Sequence, residues 1–272
     1  NLIANLNNLL ANIEQRSEVI TTEGLYDIIK GETIGLRAFL YFDLLRMFGP
    51  VYQENSSSPS IPYRTEFNRD VAKLAPANQV VDSIISDLKT AEILLENDPM
   101  NIVFNPGYVP TGFLDNRFNR MNKYAVKALL ARVYLWKGDK TNAAQKAQEV
   151  IDAEKSSGAK QFALITDNTQ DKLGSTELIF ALNMDSETFA DVIDNDFYIS
   201  RWSYYVLMDL NKLYAIFDTQ NDGLNDMRIK EGLGFSITTT GAYTLKYSQD
   251  NLISPALKNT MPLIRLAEMY YI

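Results

Sequence analysis

Cysteine and histidine are both absent from the 272 residues of this chain. Without cysteine it can form no disulfide, no thiolate zinc site and no cysteine nucleophile. Without histidine it lacks the imidazole base of a Ser-His-Asp triad and the metal ligands of an HExxH protease. No apolar run reaches the roughly 20 residues that a membrane-spanning helix needs. Most common hydrolase chemistries are therefore excluded from this sequence.

Positive charge is also in short supply, since 26 Lys and Arg face 34 Asp and Glu for a net charge of −8. An acidic chain repels phosphate backbones, so we expect no nucleic-acid partner. The composition is 46% hydrophobic and 22% charged, which is typical of folded globular proteins. The length is sufficient for a continuous hydrophobic core in one large or two small domains.

Apolar residues recur at helical spacing in three segments of the first hundred residues. The first helix begins at the chain start, with an expected apolar stripe of Leu2, Leu6, Leu9 and Ile13 and with Ile3 and Leu10 beside it. A long helix is expected from an N-cap at Thr21 or Thr22 to Gly49-Pro50, where proline ends it. A third helix is expected from Pro76 to about Asn97. Residues 51–75 and 100–119 read as long loops.

The second half of the chain has a mixed pattern. Residues 175–182 and 235–247 are typical of strands, and residues 204–217 of a helix. The apolar segment 263–272 reads as a helix without a C-terminal cap, and the chain start has no initiator Met or signal peptide. From these ends we expect a fragment of a longer mature protein.

The most informative segment predicts two antiparallel helices at residues 121–137 and 140–154. Its residue spacing resembles a tetratricopeptide repeat. In register with the repeat are the large Leu130, the small Ala131, Tyr134, the turn Gly138-Asp139 and the small Ala143. Ala131 is expected to face Ala143 or Ala147. A generic helical hairpin with alanine at its contact is the alternative.

Several stretches in this order resemble the SusD/RagB family of outer-membrane nutrient-binding lipoproteins. The matching stretches are Gly31-Glu32 through Leu36-Arg37-Ala38 to Val51, Val80 to Ala91, Arg120 to Tyr134, Glu177 to Phe180, Asp226-Met227-Arg228 and Pro262 to Glu268. Met227 departs from the proline that the family usually has there. The family's lipid-modified cysteine and everything after the last stretch are absent. We therefore expect residues 1–272 to form a single SusD-like domain, truncated at both ends relative to the family.

The resemblance implies a mainly α-helical fold with tetratricopeptide-like helix pairs, long loops and a small β element. It implies a cell-surface protein of a Gram-negative bacterium that captures an oligosaccharide or polysaccharide. It further implies attachment to the outer membrane through a lipid anchor outside this segment, and delivery of the ligand to a SusC-like TonB-dependent transporter. In this reading the protein is not an enzyme and needs no cofactor or metal.

Sugars stack their apolar faces on aromatic rings while polar groups bind the hydroxyls, so loop aromatics are the candidates for a binding site. The densest cluster contains Tyr198, Arg201, Trp202, Tyr204 and Tyr205. Weaker candidates are Tyr52, Tyr63, Tyr108 and Phe113, whereas Trp136 lies within the helical pair and is expected to pack. For Glu32, Arg37 and Arg46 the favoured interpretation is ion pairs or solvated surface.

Two other sites have weaker support. Residues 218–223 match part of a calcium-binding EF-hand loop, but Ile229 stands where the bidentate Glu is required, so a polar turn is favoured. The 34 acids could supply carboxylate pairs for glycoside hydrolysis, and no pair stands out. A tetratricopeptide scaffold for a peptide or protein and a helical glycoside hydrolase remain the alternative functions.

Overall fold

The structure is a computed structural model that describes residues 1–100, 112–166, 171–193, 207–226, 228–229, 234–245, 247 and 257–272. It is mainly helical, as the sequence predicts. The contacts divide the chain into two compact units. The first contains Asn1–Asn101, Arg120–Phe162 and Ile264–Ile272, and the second contains Ile102–Asn119 and Ala163–Leu263. The single domain expected for residues 1–272 stays a prediction.

The helices of the described part follow in chain order. They are α1 (Leu2–Gln15), α2 (Leu25–Phe48), α3 (Tyr52–Asn55), α4 (Ala77–Leu94), α5 (Lys123–Lys137), α6 (Lys140–Ile151), α7 (Ser186–Val192), α8 (Leu210–Ile216) and α9 (Leu266–Tyr271). The strands are β1 (Leu178–Asn183), β2 (Phe235–Thr238), β3 (Gly241–Thr244) and β4 (Thr260–Arg265).

The first unit is a series of packed helices centred on α2. Helix α2 packs against α1 and α4, α4 against α5, α5 against α6, and α6 against α9. Two glycines of α2 allow neighbouring side chains to approach the helix closely. A Cβ atom on Gly31 would clash with Cγ of Leu95 at 2.7 Å, and one on Gly35 would clash with Cγ of Met121 at 2.7 Å. Both glycines therefore lie where other core residues approach α2 closely.

The first two helices form where the sequence predicts them, but two details were wrong. The buried face of α1 consists of Asn7, Leu10 and Ile13, whereas Leu2 and Leu9 are exposed. The buried face includes a polar residue, Asn7, because its side-chain amide donates hydrogen bonds to the carbonyls of Arg64 and Glu66 in the loop that packs on α1. Helix α2 begins after Gly24, which has φ 73° and provides no side-chain cap, so neither Thr21 nor Thr22 is the N-cap.

The tetratricopeptide-like pair is confirmed as α5 and α6. Asn122 caps α5 by accepting hydrogen bonds from the amides of Tyr124 and Ala125, both at 2.9 Å. Gly138 ends α5 with φ 87°, a left-handed conformation that glycine adopts without steric cost. The small residues Ala131, Ala143 and Ala147 are all buried in the pair.

The second unit contains β1, β2, β3 and the beginning of β4, whose last two residues belong to the first unit. Strand β1 pairs with β4, and β2 pairs antiparallel with β3 from Phe235 opposite Thr244 to Thr238 opposite Gly241. The strands expected at 175–182 and 235–247 are thus confirmed in type, while residues 246 and 248–256 lie outside the described part. Helix α7 was not predicted. The segment 263–272 was wrongly read as one helix, because β4 continues to Arg265 before α9 begins.

Candidate functional site

The aromatic cluster singled out by the sequence lies outside the described residues. This applies to Tyr198, Arg201, Trp202, Tyr204 and Tyr205, and to Tyr108 in the earlier loop. Their role in binding stays a prediction. The helix expected at 204–217 is described from residue 207 onward, and its helical part is Leu210–Ile216.

The described residues on both sides of residues 194–206 are held in place within the second unit. Ile193, which follows α7, is buried. On the other side Met208 exchanges two backbone hydrogen bonds with Ala242 of β3, at 2.7 and 2.9 Å. Met208 also packs on a core cluster that contains Leu213 and Ala242. The chain therefore enters and leaves the aromatic segment at well-packed positions.

Several charged residues of the family-like stretches form ion pairs within the first unit. Glu32 of α2 pairs with Arg120 at 3.2 Å, and Arg132 of α5 forms two 2.6 Å hydrogen bonds to Glu268 of α9. Arg46 pairs with Asp43 one turn earlier on the helix surface. The pairs of Glu32 and Arg132 connect elements that are far apart in the chain. Both Glu32 and Arg46 form ion pairs, which confirms their structural interpretation.

Arg37 lies at the centre of a larger polar network. Its guanidinium donates to both carboxylate oxygens of Asp87, at 2.8 and 2.9 Å, and to Oδ1 of Asn7 at 3.1 Å. The hydroxyl of Tyr63 donates to the same carboxylate at 2.6 Å, and the rings of Tyr63 and Tyr41 lie 4.2 Å apart. Burial raises the pKa of Tyr63 well above its ordinary range, and the negative charge of Asp87 raises it further.

The network fixes the loop that connects α3 to α4. The loop is closed at its base by backbone hydrogen bonds from Ser60 to Ala75 and from Ala75 to Ile61, at 2.8 and 3.1 Å. Farther along, the Tyr41 hydroxyl donates to the carbonyl of Arg64 at 2.9 Å and accepts from its amide at 2.7 Å. The predicted long loop at 51–75 is thus confirmed, apart from the short helix α3 within it.

Two clefts, each of about 390 Å³, lie beside this loop in the first unit. Both are lined by Asn7, Glu66 and Phe67. The first cleft continues over α1 and α2 past Glu14, Lys30 and Arg37, and the second past Ile3, Tyr41 and Leu44. Phe67 is 57% exposed, so its ring is accessible at the edge of both clefts.

The other aromatic candidates have structural roles or modest exposure. Trp136 is half-buried with its ring edge-on to Phe42 at 6.0 Å, which confirms that it packs. Tyr63 belongs to the Arg37 network, and Tyr52 is half-buried. Phe113 is partly exposed. Sequence reasoning missed Phe67, although its place between Glu66 and Asn68 in a polar loop is a usable signal of an exposed ring.

The residues of the partial EF-hand motif form a turn. Asp218 accepts a hydrogen bond from the side-chain amide of Asn221 at 2.8 Å. Among the described residues no group of three or more Asp or Glu side chains is placed to hold a metal ion. Within the same part of the chain, no helix has the length and apolar character to span a membrane.

Comparison with known proteins places the sequence in a family. Residues 1–135 match the model of a SusD-like family that is described as starch-binding and associating with the outer membrane. The SusD-like protein P2 of Formosa agariphila is 29% identical over 136 residues, which are 48% of this chain and 22% of that protein. The first half of the chain thus matches the SusD-like family.

Solved SusD-like structures show the same fold. A SusD superfamily protein from Bacteroides thetaiotaomicron is 20% identical with a TM-score of 0.67, over 98% of this chain and 58% of that one. A SusD-like carbohydrate-binding protein from Bacteroides vulgatus is 17% identical with a TM-score of 0.70, over 98% of this chain and 54% of that one. The present chain thus spans little more than half the length of these SusD-like structures.

Proposed function

We propose that this SusD-like protein binds a glycan at the bacterial cell surface. The observation that supports this most directly is the match of residues 1–135 to a family described as starch-binding and associating with the outer membrane. The similarity of its fold to a carbohydrate-binding protein of Bacteroides vulgatus agrees with it. The ligand class in this proposal is an oligosaccharide or polysaccharide.

In this proposal the protein captures the glycan and does not cleave it. It passes the glycan to a SusC-like TonB-dependent transporter in the outer membrane and is attached there by a lipid outside this segment. The packed helices of the first unit and the paired strands of the second offer rigid supports for loop residues that contact a ligand. Sites on such supports lose less conformational entropy on binding.

The proposed contact residues are Trp202, Tyr204 and Tyr205, with Tyr198 and Arg201 beside them. Neutral sugars present C–H faces and hydroxyl groups, so an aromatic ring provides the apolar contact and neighbouring polar groups accept or donate hydrogen bonds. The described positions on either side of this segment, Ile193 and Met208, are firmly packed.

The test is Trp202→Ala in the full-length protein, with Tyr214→Ala as the control because Tyr214 is partly exposed on α8 outside the cluster. A glycan array first identifies the polysaccharide that the wild type binds. Calorimetry with that glycan should show the affinity of Trp202→Ala lowered by more than about 1 kcal/mol, by analogy with binding hot spots. The control should bind like wild type.

Three outcomes would contradict the proposal. Equal affinity of Trp202→Ala and wild type would place the site elsewhere. A collapse of the melting temperature would show that Trp202 belongs to a core. Release of reducing ends from the bound polysaccharide, lost on mutation of one carboxylate pair, would make the protein a glycoside hydrolase.

A further inference from the structure

We propose that Phe67 and its two flanking clefts form a second glycan subsite, located in the first unit. This inference rests on the proposed glycan binding and adds a site that the aromatic cluster at 198–205 does not include. The ligand class is a neutral sugar ring that stacks on Phe67 and places its hydroxyl groups in the adjacent clefts.

The first step is that the backbone around Phe67 is fixed before any ligand arrives. The side-chain amide of Asn7 on α1 donates to the carbonyls of Arg64 and Glu66, at 3.0 and 3.4 Å. The guanidinium of Arg64 donates to the carbonyls of Asn68 and Asp70, at 3.0 and 2.5 Å. Hydrogen bonds thus hold the chain on both sides of Phe67.

Asn7 is itself held in position. It is buried, and its Oδ1 accepts from Arg37, whose other nitrogens are bound to Asp87. Tyr41 bonds both the amide and the carbonyl of Arg64. The loop therefore rests on side chains of α1, α2 and α4, and a loop with this many supports presents its residues in a constant geometry.

The second step is that this ordered loop leaves an aromatic ring 57% exposed. An exposed ring contributes little apolar burial to folding. A preorganised exposed ring is favourable for binding, since little conformational freedom remains to be lost when a ligand stacks on it. Phe67 lines both clefts, and each has a volume of about 390 Å³.

The third step is the chemistry of the cleft walls. Beside the ring lie the exposed polar side chains of Thr65, Glu66 and Asn68. In the first cleft a partly exposed ion pair joins Lys30 of α2 to Glu14 of α1 at 2.9 Å. These groups supply both donors and acceptors. Acidic and basic side chains are equal in number in each lining, with Glu14 and Glu66 against Lys30 and Arg37 in the first cleft and Glu66 against Arg64 in the second. Such a wall suits hydroxyl groups better than it suits an anion or a cation.

The test compares Phe67→Ala with Leu74→Ala in the full-length protein. Leu74 is a matched control because it is an apolar residue of the same loop, is 60% exposed, and lines neither cleft. Binding is measured by affinity electrophoresis on soluble starch, laminarin, xylan and galactomannan, and then by calorimetry on the polysaccharide that the wild type binds. Melting temperatures are recorded for every variant.

We expect Phe67→Ala to weaken binding by about 3- to 10-fold while its melting temperature stays that of wild type. Phe67→Trp, which keeps a stacking surface, should bind at least as well as wild type, and Leu74→Ala should not differ from it. Equal affinity of Phe67→Ala and wild type would overturn the inference, and so would a large fall in its melting temperature.

The inference and the function on which it rests fail in different ways. If the wild type binds none of the polysaccharides, the proposed glycan binding is contradicted, and the subsite with it. If the wild type binds and Trp202→Ala loses affinity while Phe67→Ala does not, only the subsite is contradicted. If Phe67→Ala and Leu74→Ala weaken binding equally, the loop acts through its fold and not through the ring, which also contradicts the subsite.

Discussion

At the scale of single residues, Tyr63 is the most informative position for a test of the polar network. Its hydroxyl donates to the Asp87 carboxylate at 2.6 Å. Hydrogen bonds to charged groups stabilise proteins by about 1.5–3 kcal/mol, so Tyr63→Phe should lower the free energy of unfolding by that amount at pH 7. Urea denaturation measures the difference, and Tyr214→Phe on α8 is the control, with no loss expected.

The same substitution has an expected pH dependence. The pKa of Tyr63 is raised in the folded state by burial and by Asp87, while an unfolded tyrosine ionises near pH 10. Above that pH the unfolded chain binds fewer protons at this position than the folded chain, so the stability contributed by Tyr63 is complete below about pH 10 and declines above it. The stability difference between wild type and Tyr63→Phe should therefore shrink as pH rises from about 9 to 11. A constant difference would contradict the buried, hydrogen-bonded position of this hydroxyl.

The residue scale also shows how far a sequence can be interpreted. Glu32 and Arg37 were expected to form ion pairs or to lie on solvated surface, and both form ion pairs. Their partners Arg120 and Asp87 are 88 and 50 residues away in the chain, so only the fold brings them together. The polar neighbours of Phe67 indicate an exposed ring, but the contacts by which Asn7 holds the loop join distant parts of the chain and are not encoded by a local pattern.

At the scale of elements, the contact between α5 and α6 has a direct test. Ala131 is fully buried in this pair, and the small residues Ala143 and Ala147 are buried with it. Ala131→Phe should overpack the contact and lower the free energy of unfolding by about 1–3 kcal/mol. Ala144→Phe is the matched control, because Ala144 is exposed on α6. Thermal or urea unfolding that leaves Ala131→Phe as stable as the control would contradict the tetratricopeptide-like packing.

Elements were predicted well where local signals are strong. Helix α5 is bounded by a capping Asn122 and by Gly138, and the expected pair at 121–137 and 140–154 is close to the observed α5 and α6. The segment 263–272 was misread because β4 and α9 are both apolar and short, and the strand forms by pairing with β1. Pairing with a distant partner is not visible in a local pattern.

At the scale of the whole molecule, the mainly helical fold and the SusD-like family were both predicted from the sequence, because the family-like stretches run in order along it. The ligand site could not be fixed in the same way. Aromatic residues occur in cores and in binding sites alike, and only exposure separates Phe67 from Trp136. The amino-acid composition does not change sharply between the two compact units, which explains why the sequence predicted no domain boundary.

The net charge of −8 leads to a last prediction about the ligand. A neutral glycan offers no charge for the acidic protein to attract or repel, so screening by salt should not change its affinity. We expect the dissociation constant of the bound polysaccharide to stay within about twofold between about 50 mM and about 500 mM NaCl, where the Debye length falls from about 14 Å to about 4 Å. A cationic ligand would bind more weakly as salt rises, and an anionic ligand repelled by the acidic surface would bind more tightly. A slope of either sign in calorimetry across the salt series would therefore contradict stacking and hydroxyl hydrogen bonds as the basis of recognition.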